Sequence, residues 1–463
     1  MRNSPLTILL TPVLGPTLRP TFAAALSVGV LSLGTALGGT ALVAPAHAAA
    51  ATTCEGRAAT IVVPATGYDT APVVGTPGDD VIVGTPGRDT IDGAGGNDVI
   101  CGLGGPDTLG GGPGDDRLFG GFDGQYSIDN GYSSDLVAPG PGDDHVDLGA
   151  DRQALDIHPV DFAYYDRVVY TDAAGPVVVD LTAGTATGEG TDTIVVEGPA
   201  GVVGSAFGDR ITGSPYADLI QAGDGDDVVD GRAGNDRIVV DGGLGFTTSL
   251  PALDGGDDVA VGGDGRDGMI SSGGTDVLSG QGDRDFLTTS PISSGELRGG
   301  PGRDSVDAEG AVDVSAGAGK DEINYDLRPG FRTEIDGDGG RDLLDLGLSR
   351  AFGKGERVRV DLPRRRITFT GSTTRLAYSE VERLEVSGGH PHWTFLGTPA
   401  DESFRVLGGR SVRAFGRGGD DVFSGTGGRD FFDGGRGRDR ATGSSGRDTC
   451  VRIERAQDCE RRR

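Results

Sequence analysis

One apolar column recurs along the chain every nine residues. From Gly75 to Phe119 the sequence divides into GTPGDDVIV, GTPGRDTID, GAGGNDVIC, GLGGPDTLG and GGPGDDRLF, without a break. Ile82, Ile91, Ile100, Leu109 and Leu118 fill the eighth place, apolar in every unit. Glycine holds the first place (Gly75, Gly84, Gly93, Gly102, Gly111) and the fourth (Gly78, Gly87, Gly96, Gly105, Gly114). Aspartate holds the sixth (Asp80, Asp89, Asp98, Asp107, Asp116). A three-residue strand turns only its middle side chain inward, so one apolar column per unit is what such a strand needs. The six remaining residues form a loop, and its glycines permit positive φ and close backbone approach. The pattern predicts an all-β chain of very short strands separated by tight loops.

The register returns in later blocks. Asp209, Asp218, Asp227 and Asp236 recur at nine-residue intervals, followed two places on by Ile211, Ile220, Val229 and Ile238. Asp258, Asp267, Asp276 and Asp285 form a third run, and Asp421, Asp430, Asp439 and Asp448 a fourth. Single or slipped units surround Asp144, Asp304, Asp321 and Asp342. Phe207, Tyr216 and Asp283 stand where the fourth-place glycine belongs, and Glu402 replaces the sixth-place aspartate. These loops are expected to continue the coil but to be poor ligand sets. Between the blocks, Val177–Leu181 and Val358–Leu362 share the pattern V-x-V-D-L, whose alternation suits half-buried strands. The organisation expected is a leader over 1–48, an N-terminal cap over 49–74 and a repeat block over 75–120. A β-rich spacer over 121–203, repeat blocks over 204–345 and a spacer or ligand-binding insert over 346–415 follow. A last block over 416–449 and a terminal cap with a basic tail over 450–463 complete it.

The nonapeptide resembles that of the RTX, or hemolysin-type, calcium-binding family. It departs at the second place, where Thr76, Thr85, Ala94 and Leu103 replace glycine. The resemblance implies a parallel β-roll, or β-solenoid, in which two successive units make one turn and each loop stacks on the loop two units away. Several calcium ions are then expected between stacked loops, held by loop carbonyls and by the sixth-place carboxylates. Calcium takes six to eight oxygen ligands. The ligand pairs implied lie 18 residues apart: Asp80 with Asp98, Asp89 with Asp107, Asp98 with Asp116, Asp209 with Asp227, Asp218 with Asp236, Asp258 with Asp276, Asp267 with Asp285, Asp421 with Asp439, and Asp430 with Asp448. A metal-free solenoid, with Asp and Gly merely shaping turns, is the alternative. It would leave a column of like charges to repel itself.

Charge sharpens that choice. The chain has 70 acidic and 41 basic residues and a net charge of −29. Loss of residues 1–48 removes two arginines and no acid, taking the net charge to −31. Self-repulsion on that scale opposes a compact state, so the chain is either disordered or neutralised by bound cations. Phe22 to Val43 is apolar and leads into Ala44-Pro45-Ala46-His47-Ala48, a small-residue cleavage site. Export to the extracellular space is expected, with no membrane span after cleavage; an uncleaved anchor is the alternative. Four cysteines fit an exported chain. Of three possible connectivities, Cys54 with Cys101 and Cys450 with Cys459 are favoured, as caps on open coil ends.

The chain holds no H-E-x-x-H, G-x-S-x-G or G-x-x-x-x-G-K-[ST] motif. His390-Pro391-His392-Trp393 is the one histidine cluster, either a loop or a place to bind zinc or stack a sugar. An Arg-biased C-terminal stretch suits either a solvated surface or attraction to an anionic cell-envelope polymer. So acidic a chain excludes nucleic acid as a partner. The expectation is a secreted, non-enzymatic calcium-binding protein with a structural or adhesive role at the cell surface or matrix, with a glycan or envelope polymer as possible partner. The alternative is an exported enzyme or toxin whose repeats serve an unrecognised active module.

Overall fold

The computed structural model describes residues 53–64, 71–122, 134–149, 165–242, 255–348, 357–381, 383–387 and 391–462. The leader over 1–48, His158 and His390 lie outside the described residues. Among the described residues every regular element is a strand, apart from a 3-10 turn at Leu362–Arg364. No helix among them is long and apolar enough to cross a membrane.

The strands fall into two sheets visited alternately. Val81–Val83, Val99–Leu103 and Arg117–Gly121 pair in parallel in the first sheet. Thr90–Asp92, Thr108–Gly110 and Leu136–Ala138 do so in the second. Ile82 therefore stacks on Ile100 and Leu118, and Ile91 on Leu109 and Val137. Two nonapeptides make one turn, so the chain is a parallel β-roll. The eighth-place residues from both sheets meet between them, and all of those named are at most 2% exposed. With one large side chain per strand, the core is a thin seam running the length of the coil. Near the C-terminal end it becomes aromatic: Trp393, Phe395, Phe404, Phe423 and Phe432 contact one another in series at ring-centroid separations of 4.9–5.9 Å.

The two V-x-V-D-L segments mark a departure from simple winding. Val178–Asp180 pairs antiparallel with Thr185–Thr187, which pairs antiparallel with Thr191–Val195. The outer members rejoin the parallel first sheet, Thr191–Val195 on His145–Asp147 and Val178–Asp180 on Arg210–Thr212. Arg357–Asp361, Arg366–Phe369 and Arg375–Ser379 repeat this arrangement between Arg332–Asp336 and His392–Leu396. Each spacer thus adds a reversing strand to one sheet, and its apolar face joins the same core through Val179, Ala186, Ile194, Val358, Ile367 and Leu376.

Both expected disulfides form, Cys54–Cys101 and Cys450–Cys459. Only the second lies at a coil end. The first sheet begins at Ile61–Val62, which pairs with Val81–Val83 and so precedes the strand of Cys101 by two places. The hairpin of Thr53–Cys54 and Arg57–Ala58 instead covers the outside of the sheet, with Cys54 packed against Val83 and Val99. Its bridge clamps this hairpin to the sheet's outer face rather than closing the coil end, where Ile61–Val62 and Val73–Val74 form the first rungs. At the other end Cys450 takes the inward place below Phe432 and is 2% exposed.

Replacing Cys450 with serine puts a hydroxyl in that place and opens a nine-residue loop. The chain-entropy picture assigns such a loop roughly 2–3 kcal/mol. The melting temperature of the calcium-loaded Cys450→Ser variant should fall, and light scattering should detect end-to-end association through the loosened terminal strands.

Candidate metal sites

Each sixth-place aspartate sits immediately before a strand, and the parallel register sets these residues one above another. The Val99 N–H donates to the Asp80 carbonyl at 2.9 Å. The Asp80 N–H donates to Asp98 Oδ1 at 2.8 Å. One carboxylate oxygen therefore ties each turn to its predecessor. All nine pairs spaced 18 residues apart are joined in this way. The ladder also continues where the spacing breaks, from Asp116 to Asp144, Asp135 to Asp166, Asp144 to Asp192 and Asp227 to Asp258. Asp304, Asp321 and Asp342 carry it further. Period counting missed Asp135, Asp166 and Asp192 because insertions separate them from their partners. A second, exposed ladder uses the fifth place, where Asp79, Asn97, Asp115 and Asp143 each accept from the backbone of the next turn.

The other oxygen, Oδ2, divides the loops into two classes. In the first, a Thr or Ser at the second place bonds the aspartate of its own loop. Thr76 does so with both its N–H and its hydroxyl, at 2.7 and 2.8 Å from Asp80 Oδ2. Thr85, Ser205, Ser214 and Thr426 likewise turn N–H and hydroxyl on Asp89, Asp209, Asp218 and Asp430. In the second class the second-place residue has a left-handed backbone, as at Ala94, Leu103, Arg232, Gln281 and Arg417 with φ of 75–82°. Its N–H then points elsewhere. Oδ2 of Asp98, Asp116, Asp144, Asp227, Asp236, Asp258, Asp267, Asp285, Asp304, Asp321, Asp421, Asp439 and Asp448 is buried with no hydrogen bond. Ser444 demonstrates that conformation decides: it is a serine in the second place, but with φ of 69° it leaves Asp448 Oδ2 unbonded.

The classes account for the irregular loops. In many second-class loops the fourth place is also left-handed, as at Gly96, Gly105, Gly234 and Gly437, which favours glycine there. Phe207 and Tyr216 occupy that place in first-class loops, where positive φ is not needed. Asp283 adopts φ of 69° itself, and Asp285 Oδ2 is unbonded as in the other second-class loops. Glu402 serves as an aspartate, accepting from Thr398 and giving its own N–H to Asp421 Oδ1 at 2.9 Å. Glu454 and Glu460 close the two ladders at the C-terminus.

The first-place glycine marks where an ion would sit. A Cβ on Gly231 would lie 2.6 Å from Asp236 Oδ2 and 2.5 Å from the Gly262 carbonyl oxygen. Asp98 Oδ2 with the Gly111 carbonyl, and Asp116 Oδ2 with the Pro139 carbonyl, crowd Gly93 and Gly111 in the same manner. Carboxylate and carbonyl oxygens converging with no donor among them suit a hard cation. Burial pushes the carboxyls up, Asp236 and Asp258 to about 9, Asp144, Asp227 and Asp285 to about 8, and Asp116, Asp267, Asp276 and Asp321 to about 6. Neighbouring carboxylates of the ladder add to the rise.

A family model for the RTX calcium-binding nonapeptide repeat matches residues 74–109, 102–123, 203–238, 254–287 and 415–450. The chain carries RTX repeats. These repeats bind calcium, and the matched stretches contain all the sixth-place aspartates of the four regular blocks. The RTX match leaves out the spacers, whose strands and ladder members continue the same roll. No curated protein matches the chain. Trp393, by contrast, is 1% exposed and part of the aromatic core, so it offers no face to a sugar, and His392 Nδ1 is 2.7 Å from the Ser411 hydroxyl.

Two measurements check this division of the loops. Asp236→Asn should lower the number of calcium ions retained in native mass spectrometry, whereas Asp209→Asn, whose carboxylate Ser205 already satisfies, should leave it unchanged. The raised carboxyls also set a pH dependence for the metal-free roll. Between an unfolded value near 3.9 and folded values up to about 9, the folded state holds more protons, so stability falls as pH rises. The residual β content of the chain in EGTA should therefore be greater near about pH 5 than near about pH 9, and saturating calcium should flatten the difference.

Proposed function

We propose that this is an exported, non-enzymatic protein whose roll is assembled by extracellular calcium, and that it serves as a structural or adhesive component of the cell surface or matrix. The observation that carries this reading is the set of buried Oδ2 atoms without donors, among them those of Asp98, Asp116, Asp236, Asp267, Asp421 and Asp448. A chain with 70 acids and 41 bases has little else to neutralise such a set. Bound calcium would supply positive charge between loops, with Asp Oδ2 and first-place carbonyls as its protein ligands. Binding to the stacked loops and not to the open chain stabilises the fold by mass action. Two disulfides fit an oxidising compartment. Outside the cell, calcium sites of modest affinity suffice, while the low cytosolic level leaves the chain unfolded and ready for export. The long, regular surface suits repeated weak contacts with an envelope polymer or glycan.

Far-ultraviolet circular dichroism of residues 49–463 tests the reading. A disordered spectrum in excess EGTA should give way to β structure on adding calcium. Equal β content in both conditions would overturn calcium-driven assembly.

A further inference from the structure

One point along the roll differs in kind from the others. Asp241 stands in the second place of the loop that ends at Asp258, where other loops carry Thr, Ser or a left-handed residue. It is 3% exposed, and its Oδ2 accepts from Ser272 N–H at 2.6 Å and Gly273 N–H at 3.1 Å in the next turn's loop. Those bonds aim Oδ1 at the carboxylates of Asp258 and Asp276, which are 0% and 2% exposed. One oxygen from each of the three lies within 4.8 Å of the others. Asp241 Oδ1 and Asp258 Oδ2 are buried with no hydrogen bond, while the Ser271 hydroxyl donates to Asp276.

We propose that Asp241, Asp258 and Asp276 form a discrete cation site that binds calcium more tightly than the rest of the roll. It rests on the calcium reading above. An ordinary interloop position offers one unbonded carboxylate oxygen beside backbone carbonyls. Here three carboxylates converge without a counter-charge, and calcium affinity rises with the charge of the ligand set. The two backbone N–H groups on Asp241 hold it in place before any ion arrives, and the Ser271 hydroxyl needs only to rotate to free the Asp276 oxygen. This position is then the first to fill and the last to empty, fastening the loop of Asp241 and Asp258 to that of Asp276 in the next turn.

Native mass spectrometry of residues 49–463 against graded EGTA provides the test. The wild-type chain should retain one calcium ion at a chelator level that strips the others, a difference of at least about tenfold in affinity. Asp241→Asn should lose that ion and keep the remainder, with an unchanged circular dichroism spectrum in saturating calcium. Asp264→Asn, an exposed acid, should keep it. Retention of the tight ion by Asp241→Asn, or release of all wild-type ions together, would overturn the site. A wild-type chain that takes up no calcium would instead defeat the broader reading, and this site with it. Should Asp241→Asn not fold, anomalous scattering from wild-type crystals given one equivalent of terbium decides the matter. A peak bonded to the three carboxylates supports the site, and a first peak elsewhere refutes it.

Discussion

A carboxylate has two oxygens, and in this roll they face opposite demands. Oδ1 of each sixth-place aspartate accepts the backbone N–H of the aspartate one turn earlier, so it works as part of the sheet ladder. That bond requires the carboxylate to be buried and stacked on others like it. Oδ2 is then carried into a place without water, where a charge is costly unless something positive or a donor meets it. The rest of the loop is arranged around that second oxygen. Removing the aspartate would release the tension but would also remove the tie between turns.

Two answers to the demand coexist, and one backbone angle separates them. With an ordinary φ, a second-place Thr or Ser gives its N–H to Oδ2 and its hydroxyl to the same carboxylate, and satisfies it locally. With a left-handed φ, the N–H is withdrawn and the oxygen is left without a donor beside the first-place carbonyl of the next turn. The same choice bears on the fourth place, which in one class is often left-handed and held by glycine, or by Asp283, and in the other admits Phe207 or Tyr216. First-class loops open the repeat block at Asp80 and Asp89, and again at Asp209 and Asp218, each time where a stack of regular loops begins. A loop that satisfies itself is suited to that position, because there the preceding turn is irregular.

The core explains why the roll tolerates spacers. Each strand contributes one inward residue, so a reversing strand can enter the first sheet provided its inward residues are apolar. Ala186 and Ile367 meet that condition at the two reversals. Antiparallel strands add backbone hydrogen bonds without needing a loop on the ladder. Beside the first reversal the Val177 N–H bonds Asp209 Oδ1, where an aspartate would otherwise donate; in a strand parallel to both its neighbours, the Val412 N–H does the same for Asp430 Oδ1.

Much of this was legible in the residues alone. A nine-residue period with one apolar column and one aspartate column admits few folds, and the RTX resemblance it carries implied that Asp80 stacks with Asp98 two units on. Periodicity is a local property, repeated, and so survives in one dimension. Insertions erase it, which is why Asp135, Asp166 and Asp192 were invisible: 28 to 48 residues separate partners that the sheet brings within hydrogen-bond reach. The role of Thr85 against Ala94 was on view as a departure from the repeat, but its meaning lay in φ and in the direction of one N–H, which composition does not encode. Asp241 meets Asp258 and Asp276 only in the folded roll, where the Ser272 and Gly273 N–H groups of the next turn hold its carboxylate. Local spacing determined which residues could face inward; the sheet register decided which oxygens would be left to face one another.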